Sequence, residues 1–224
     1  MSLESVRQRM AAAAQRSGRD VDQVTLIAVG KTHPVDVLMQ VYEAGHRDFG
    51  ENRAAELADK AAVMPPDVRW HFVGPLQRNK VRQVRPVAHL LHSMDRLNLG
   101  EAWLKGPGVA PPALLEVNLA EEPQKSGVSV DDVSAMTDRL LTLGVDLRGV
   151  MAIPPQIDVP EQARRNFRRL AGLRAELAAV YPVMTQLSMG MSDDFEAAIE
   201  EGATMIRVGR AIFGPRVEQH QGIS

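Results

Sequence analysis

The chain has 224 residues, 45% hydrophobic and 24% charged, an ordinary globular composition with enough apolar mass for a substantial core. Its formal net charge of −2 offers no electrostatic footprint for nucleic acid or an anionic membrane, and no run of 18 apolar residues is present to span a bilayer. The absence of cysteine excludes a disulfide framework, a thiolate metal site and a cysteine nucleophile.

Met1-Ser2-Leu3-Glu4, followed by alternating charges, lacks the apolar segment of a secretion signal, so a cytoplasmic protein is expected. Leu3, Val6, Met10 and Ala14 recur at helical spacing and predict an amphipathic helix over 3–17. The run 24–29 then reads as a fully buried strand ending in Gly30-Lys31. Further apolar runs follow at 46–49 (weak), 69–73, 88–92, 112–119, 147–152, 183–188 and 204–208. Helix-like segments separate them near 35–44, 52–62, 78–84, 95–104, 130–142, 160–179 and 193–201. Such alternation implies right-handed βαβ units and a parallel sheet. Eight units predict a closed (β/α)₈ barrel of the TIM type, one domain over 1–224 with an extra N-terminal helix. A doubly wound open sheet is the alternative. The Pro/Gly-rich pieces Lys105–Pro112 and Pro154–Pro160 fall between elements of the same series and read as loops.

Ligands of such barrels gather at the C-terminal ends of the strands. There the chain places Lys31, then Gly50-Glu51-Asn52, Gly74 through Lys80, and Asn118 with Lys125-Ser126-Gly127. The seventh run leads into Ser188, Gly190 and Ser192, and the eighth passes through Arg207 into Gly209-Arg210 and Gly214. A lysine at the tip of a buried strand marks, on the ordinary view, where the strand reaches water. On the chemical view it is an amine held for Schiff-base formation.

Small residues after the last two strands suit a phosphate cup. Ser192 sits where an N-cap belongs, with Asp193 and Asp194 in the first helical turn. Arg207, between Ile206 and Val208, faces opposite to both and needs a partner, either a structural carboxylate or a cofactor at the barrel mouth. Lysine, cup and arginine together describe a pyridoxal 5′-phosphate (PLP) site, or a class I aldolase site for a phosphorylated ketose. The six histidines show no His-x-x-x-His spacing, so a metal site is not expected. His71, between Trp70 and Phe72, reads as a satisfied core histidine.

Several stretches together resemble the YggS-like, PROSC-type pyridoxal phosphate homeostasis family. They are Ala28-Val29-Gly30-Lys31-Thr32, Phe49-Gly50-Glu51-Asn52, Trp70 through Lys80, and Glu116-Val117-Asn118 with Lys125-Ser126-Gly127. Gly149 through Pro154, Leu187 through Ser192 and Ile206 through Gly214 complete the set. The resemblance implies the barrel of fold-type III PLP enzymes, like the N-terminal domain of alanine racemase. It implies a Schiff base between Lys31 and PLP, and phosphate binding by Ser192, Gly209 and Arg210 with Ser188 close by. Asn52 would lie beside the cofactor and Arg207 would face the pyridine nitrogen. Gly30 stands where the family usually has serine, and Arg210 where threonine is frequent, which bears on the Lys31 turn and on phosphate affinity.

Two functions follow as expectations. One is a PLP carrier in vitamin B6 and amino-acid homeostasis, monomeric, with PLP-dependent apo-enzymes as partners and no catalytic residue. The other is a weak PLP-dependent amino-acid racemase, with the aldolase as a distant third. The chain ends soon after the eighth run, and its two tyrosines, Tyr42 and Tyr181, lie away from the strand ends, which favours the carrier.

Overall fold

In the computed structural model, which describes residues 2–106, 108–120, 126–153 and 160–215, all eight apolar runs become strands. Lys125 and residues 154–159 of the second Pro/Gly-rich loop lie outside the described residues. The first strands are β1 (Thr25–Val29), β2 (Asp48–Glu51), β3 (Arg69–Phe72), β4 (Ala88–Met94) and β5 (Ala113–Asn118). After the two-residue strand β6 (Val128–Ser129) come β7 (Leu147–Met151), β8 (Gln186–Ser188) and β9 (Met205–Val208). The strand order is β4-β3-β2-β1-β9-β8-β7-β5, and pairing of β4 with β5 closes the ring, all parallel. β6 only extends the far end of β5, with Val117 opposite Val128. The doubly wound alternative is thereby set aside.

Helices α1 (Leu3–Arg16), α2 (Val35–Glu43), α3 (Ala54–Ala61), α4 (Val81–Val84) and α5 (Leu97–Lys105) are followed by α6 (Val133–Leu143), α7 (Pro160–Val180), α8 (Phe195–Glu200) and α9 (Arg210–Phe213). All but α1 follow a barrel strand and cover the outside of the sheet. The layer between contains Phe49, Trp70, Leu91, Leu115, Leu187, Ile206 and Val208. A separate apolar cluster of Ile27, Val29, Val73, Leu90, Leu114, Met151 and Met205 comes from the opposite strand faces and fills the barrel. Each fully buried aliphatic or aromatic side chain contributes roughly 1.5–3 kcal/mol, so these two layers supply most of the stabilisation.

The N-terminal helix is an addition to the barrel. Ser2 caps it by accepting from the Ser5 amide at 3.2 Å, and Val6, Met10 and Ala13 are buried. Arg9 pairs with Glu196 of α8 at 2.7 Å, and Arg19 donates to the Ile199 and Ala203 carbonyls at the C-terminal end of α8. A cation there also answers the helix dipole.

The weak run at 46–49 lies two residues further on, so Gly50 and Glu51 belong to β2 and not to the loop after it. The reason is Asp48, which faces the barrel interior and is bonded to Arg69 and His71, so its carboxylate hides a strand start from a reading based on apolarity. Among the described residues no helix is long and apolar enough to cross a membrane.

Candidate functional site at the barrel mouth

Lys31 follows β1 in a tight turn whose two flanking peptides are both held by α3 side chains. The buried Lys60 ammonium donates to the Gly30 carbonyl at 2.9 Å, and Glu56 accepts from the Thr32 amide at 3.0 Å. Lys60 also pairs with the buried Glu51 at 2.5 Å. The Gly30 amide donates to Gly50 and the His33 amide donates back to Gly30, at 3.0 and 3.1 Å. Thr32 sits at φ 67°, a left-handed conformation costly for a β-branched residue, which persists because the surrounding bonds over-determine it. A Cβ on Gly30 would lie 2.8 Å from the Leu38 side chain, so a serine here would require Leu38 to move.

Asn52 leaves β2 beside this turn, because Val29 and Gly50 are register partners and Lys31 and Asn52 each stand two residues beyond. Gly74 holds the other side of Asn52. A Cβ there would fall 2.4 Å from the Asn52 carbonyl oxygen, so backbone packs on backbone. On the far side of β1, Ile27 pairs with Arg207 and Ala28 with Val208, which brings Gly209 against the Val29 carbonyl. Lys31, Asn52 and Gly209 therefore step off three adjacent strands at the same end of the barrel.

Ser188 is fully buried at the end of β8 and receives the Arg207 guanidinium at 2.5 Å. A second guanidinium nitrogen donates to the Ala152 carbonyl at 2.9 Å. Arg207 thus meets a hydroxyl and a carbonyl, with no carboxylate within ion-pair distance among the described residues. Burial lowers its pKa to about 10, which leaves it charged at neutral pH. Glu116 on β5 is the nearby acid. Burial, reinforced by Asp95, pushes its carboxyl up to about 7, and its Oε2 has no hydrogen-bond partner among the described residues.

The expected N-cap at Ser192 is corrected. Gly190, at φ 90°, turns the chain early, and the Asp194 and Phe195 amides both donate to the Met191 carbonyl. α8 therefore begins at Phe195 with Asp194 as its N-cap, and Asp194 accepts from the Met191 amide at 2.6 Å. Ser192 is left to approach the Ala211 amide at 3.4 Å. Asp193 pairs with the exposed Arg210 side chain. Ser192 and α9 are thus joined, while the Arg210 side chain points to a surface carboxylate.

Sequence reasoning missed the clamp formed by Lys60, Glu51 and Glu56, and it missed His92, whose Nδ1 lies 3.0 Å from Ser188 Oγ. The parity argument applied to Arg207 would have found His92 had it been extended to the fourth run. His71 is, as expected, a satisfied core histidine, bonded to Asp48 and His92. Among the described residues no group of three His, Asp or Glu side chains is placed to hold a metal ion.

The model of the alanine racemase N-terminal domain family matches residues 1–217. The chain belongs to this family. A pyridoxal phosphate homeostasis protein of Aquifex aeolicus is 40% identical over 220 residues, covering 96% of each chain. One from Escherichia coli K12 is 39% identical over 227 residues, covering 96% of this chain and 95% of the other. Among solved structures, PipY of Synechococcus elongatus without PLP superposes with TM-score 0.82 at 38% identity, covering 93% of this chain and 99% of PipY. PipY with PLP bound gives TM-score 0.79 at 36% identity, covering 93% and 100%. The barrel is that of the alanine racemase N-terminal domain.

Proposed function

We propose that this protein binds pyridoxal 5′-phosphate at the barrel mouth, with Lys31 as the amine that holds it, and serves as a carrier in vitamin B6 and amino-acid homeostasis. The observation that carries this reading is the clamp on both peptides flanking Lys31, which fixes the backbone of that lysine at a mouth also lined by Arg207. The similarity to PLP-bound PipY supports the same reading.

The donor set fits the cofactor. When bound, pyridoxal phosphate supplies an aldehyde that condenses with amines and a ring that withdraws electrons. Lys31 presents the amine. Ser192 and the backbone amides of Gly209 and Arg210 would hold the phosphate, with Ser188 close by, and Asn52 would lie beside the ring. Arg207 would face the ring nitrogen. A guanidinium has only donors and Arg207 stays charged at neutral pH, so it favours an unprotonated ring nitrogen and a weak electron sink.

That weak sink favours a carrier over a racemase. So do the tyrosines: Tyr42 donates to Asp67 at 2.7 Å and Tyr181 to Asp138 at 3.1 Å, each on the outer surface. We place the protein in the cytoplasm as a monomer that delivers PLP to apo-enzymes.

Borohydride reduction of the PLP-loaded protein followed by peptide mass mapping tests the reading. A pyridoxyl label on Lys31, lost in Lys31→Ala, is expected. No label on Lys31 in PLP-saturated protein overturns it. Turnover of any amino acid in a racemase panel would overturn the carrier part alone.

A further inference from the structure

Five polar side chains form a continuous file along the inside of the barrel. Asp48, His71, His92, Ser188 and Arg207 come from β2, β3, β4, β8 and β9, each alternating with neighbours in the outer layer. Asp48 Oδ1 lies 3.1 Å from His71 Nε2, and His71 Nδ1 lies 3.0 Å from His92 Nε2. His92 Nδ1 lies 3.0 Å from Ser188 Oγ, which lies 2.5 Å from Arg207 Nη1. The file starts at the N-terminal end of β2, where Arg69 covers Asp48, and ends at the opposite mouth. His71 and His92 are almost wholly buried.

With neutral imidazoles between them, the chemistry of the two ends fixes the direction of every bond. Arg207 has no acceptor, so it must donate to Ser188. The described partners of the Ser188 hydroxyl are Arg207 and His92 Nδ1, so its proton goes to His92 Nδ1. His92 then carries its proton on Nε2 and donates to His71 Nδ1. His71 likewise donates through Nε2 to Asp48, an ionised carboxylate that can only accept. Burial works against that charge, but hydrogen bonds from Arg69 and His71 outweigh it and hold the Asp48 carboxyl well below the usual range. Burial keeps His92 neutral.

We propose that this file is a one-way chain of donors that fixes the Arg207 guanidinium for the ring of the bound cofactor, with His71 and His92 as neutral Nε2–H tautomers and Asp48 as the terminal anion. His71, His92 and Asp48 are thus positioning residues acting on the ligand through Arg207. The proposal rests on the PLP reading above. A run of satisfied buried polar bonds is rigid, whereas one wrong proton leaves a buried donor facing a donor. The charged and titratable groups facing the two histidines are Asp48, Arg69, His89 and Arg207.

The test has two arms. In ¹⁵N-labelled protein without ligand at pH 8, long-range nitrogen–carbon-proton correlations should report both histidines as Nε2–H. An Nδ1–H tautomer or an imidazolium at either position overturns the proposal, whether or not PLP binds. In PLP-loaded protein, His71→Asn keeps an acceptor where Nδ1 was, and His71→Gln keeps only the reach to Asp48. The Asn variant should retain PLP affinity within about twofold, whereas His71→Gln should lose about tenfold, the loss of one buried bond. The pH midpoint of the bound cofactor's absorbance band should also shift in His71→Gln alone. Equal behaviour of the two variants overturns the proposal. A wild-type protein that takes up no PLP refutes the function proposed above and leaves the tautomer result to decide the file.

Discussion

Lys60 reaches from α3 beneath the β1 turn and donates to the Gly30 carbonyl at 2.9 Å, so a buried ammonium ion holds the backbone immediately before Lys31. The same ammonium pairs with Glu51, which is fully buried. Lys60→Met should therefore cost about 3–5 kcal/mol in urea unfolding, since it strands a buried carboxylate. Adding Glu51→Gln should recover part of that loss. PLP affinity should stay reduced in the double variant, because the Gly30 carbonyl remains unheld.

Glu116 gives the mouth a pH-dependent stability. Its carboxyl ionises near 4.5 when unfolded and near 7 when folded, because burial, with Asp95 beside it, penalises the charge. The folded state thus prefers the protonated acid. This contribution is fully present below pH 4.5 and is lost as pH rises through 7, by about 3 kcal/mol. Denaturant melts of Glu116→Gln should show little difference from wild type at pH 4.5. Above pH 7 the variant should be the more stable protein by that amount.

Gly74 is needed for close approach. Gly74→Ala would place a methyl against the Asn52 carbonyl, and backbone must shift to accept it. The expected cost is about 1–3 kcal/mol. Displacing Asn52 should also weaken PLP binding, measured by fluorescence or absorbance titration, with the Lys31 label retained.

Arg210 should matter little through its side chain. Its ion pair with Asp193 is exposed on both sides, and such pairs contribute about 0–1 kcal/mol. Arg210→Ala and Arg210→Thr should both leave PLP affinity within about threefold of wild type, because the backbone amide is unchanged. A larger loss would assign the phosphate to the guanidinium.

The barrel was legible because its strands are short, apolar and regularly spaced. The second run was misplaced by two residues, where Asp48 faces inward. The fourth strand continues two residues past its run to Met94, and the seventh run is a strand only over Gln186–Ser188. Lys31, Asn52, Ser188, Arg207 and Gly209 were legible as positions because each stands at or beside the end of a strand, and strand ends converge in a closed parallel barrel. The start of α8 was not, since the turn made by Gly190 and Asp194 competes with the Ser192 cap and local preference alone does not rank them.

By itself the sequence determined the strand and helix order, and with it which end of each strand bears the amine, the arginine and the small residues. Periodicity is a property of neighbours in the chain, so it carries that information. Only the tertiary structure decided that Lys60 and Glu56 clamp the Lys31 turn from 30 and 24 residues away, and that Arg207 answers Ser188 and Ala152 with no carboxylate among the described residues. The partners of a buried polar group are chosen by barrel closure, which brings together residues as far apart as His92 and Ser188. No local pattern records that choice, because the need to satisfy a buried donor arises only once folding has removed the water.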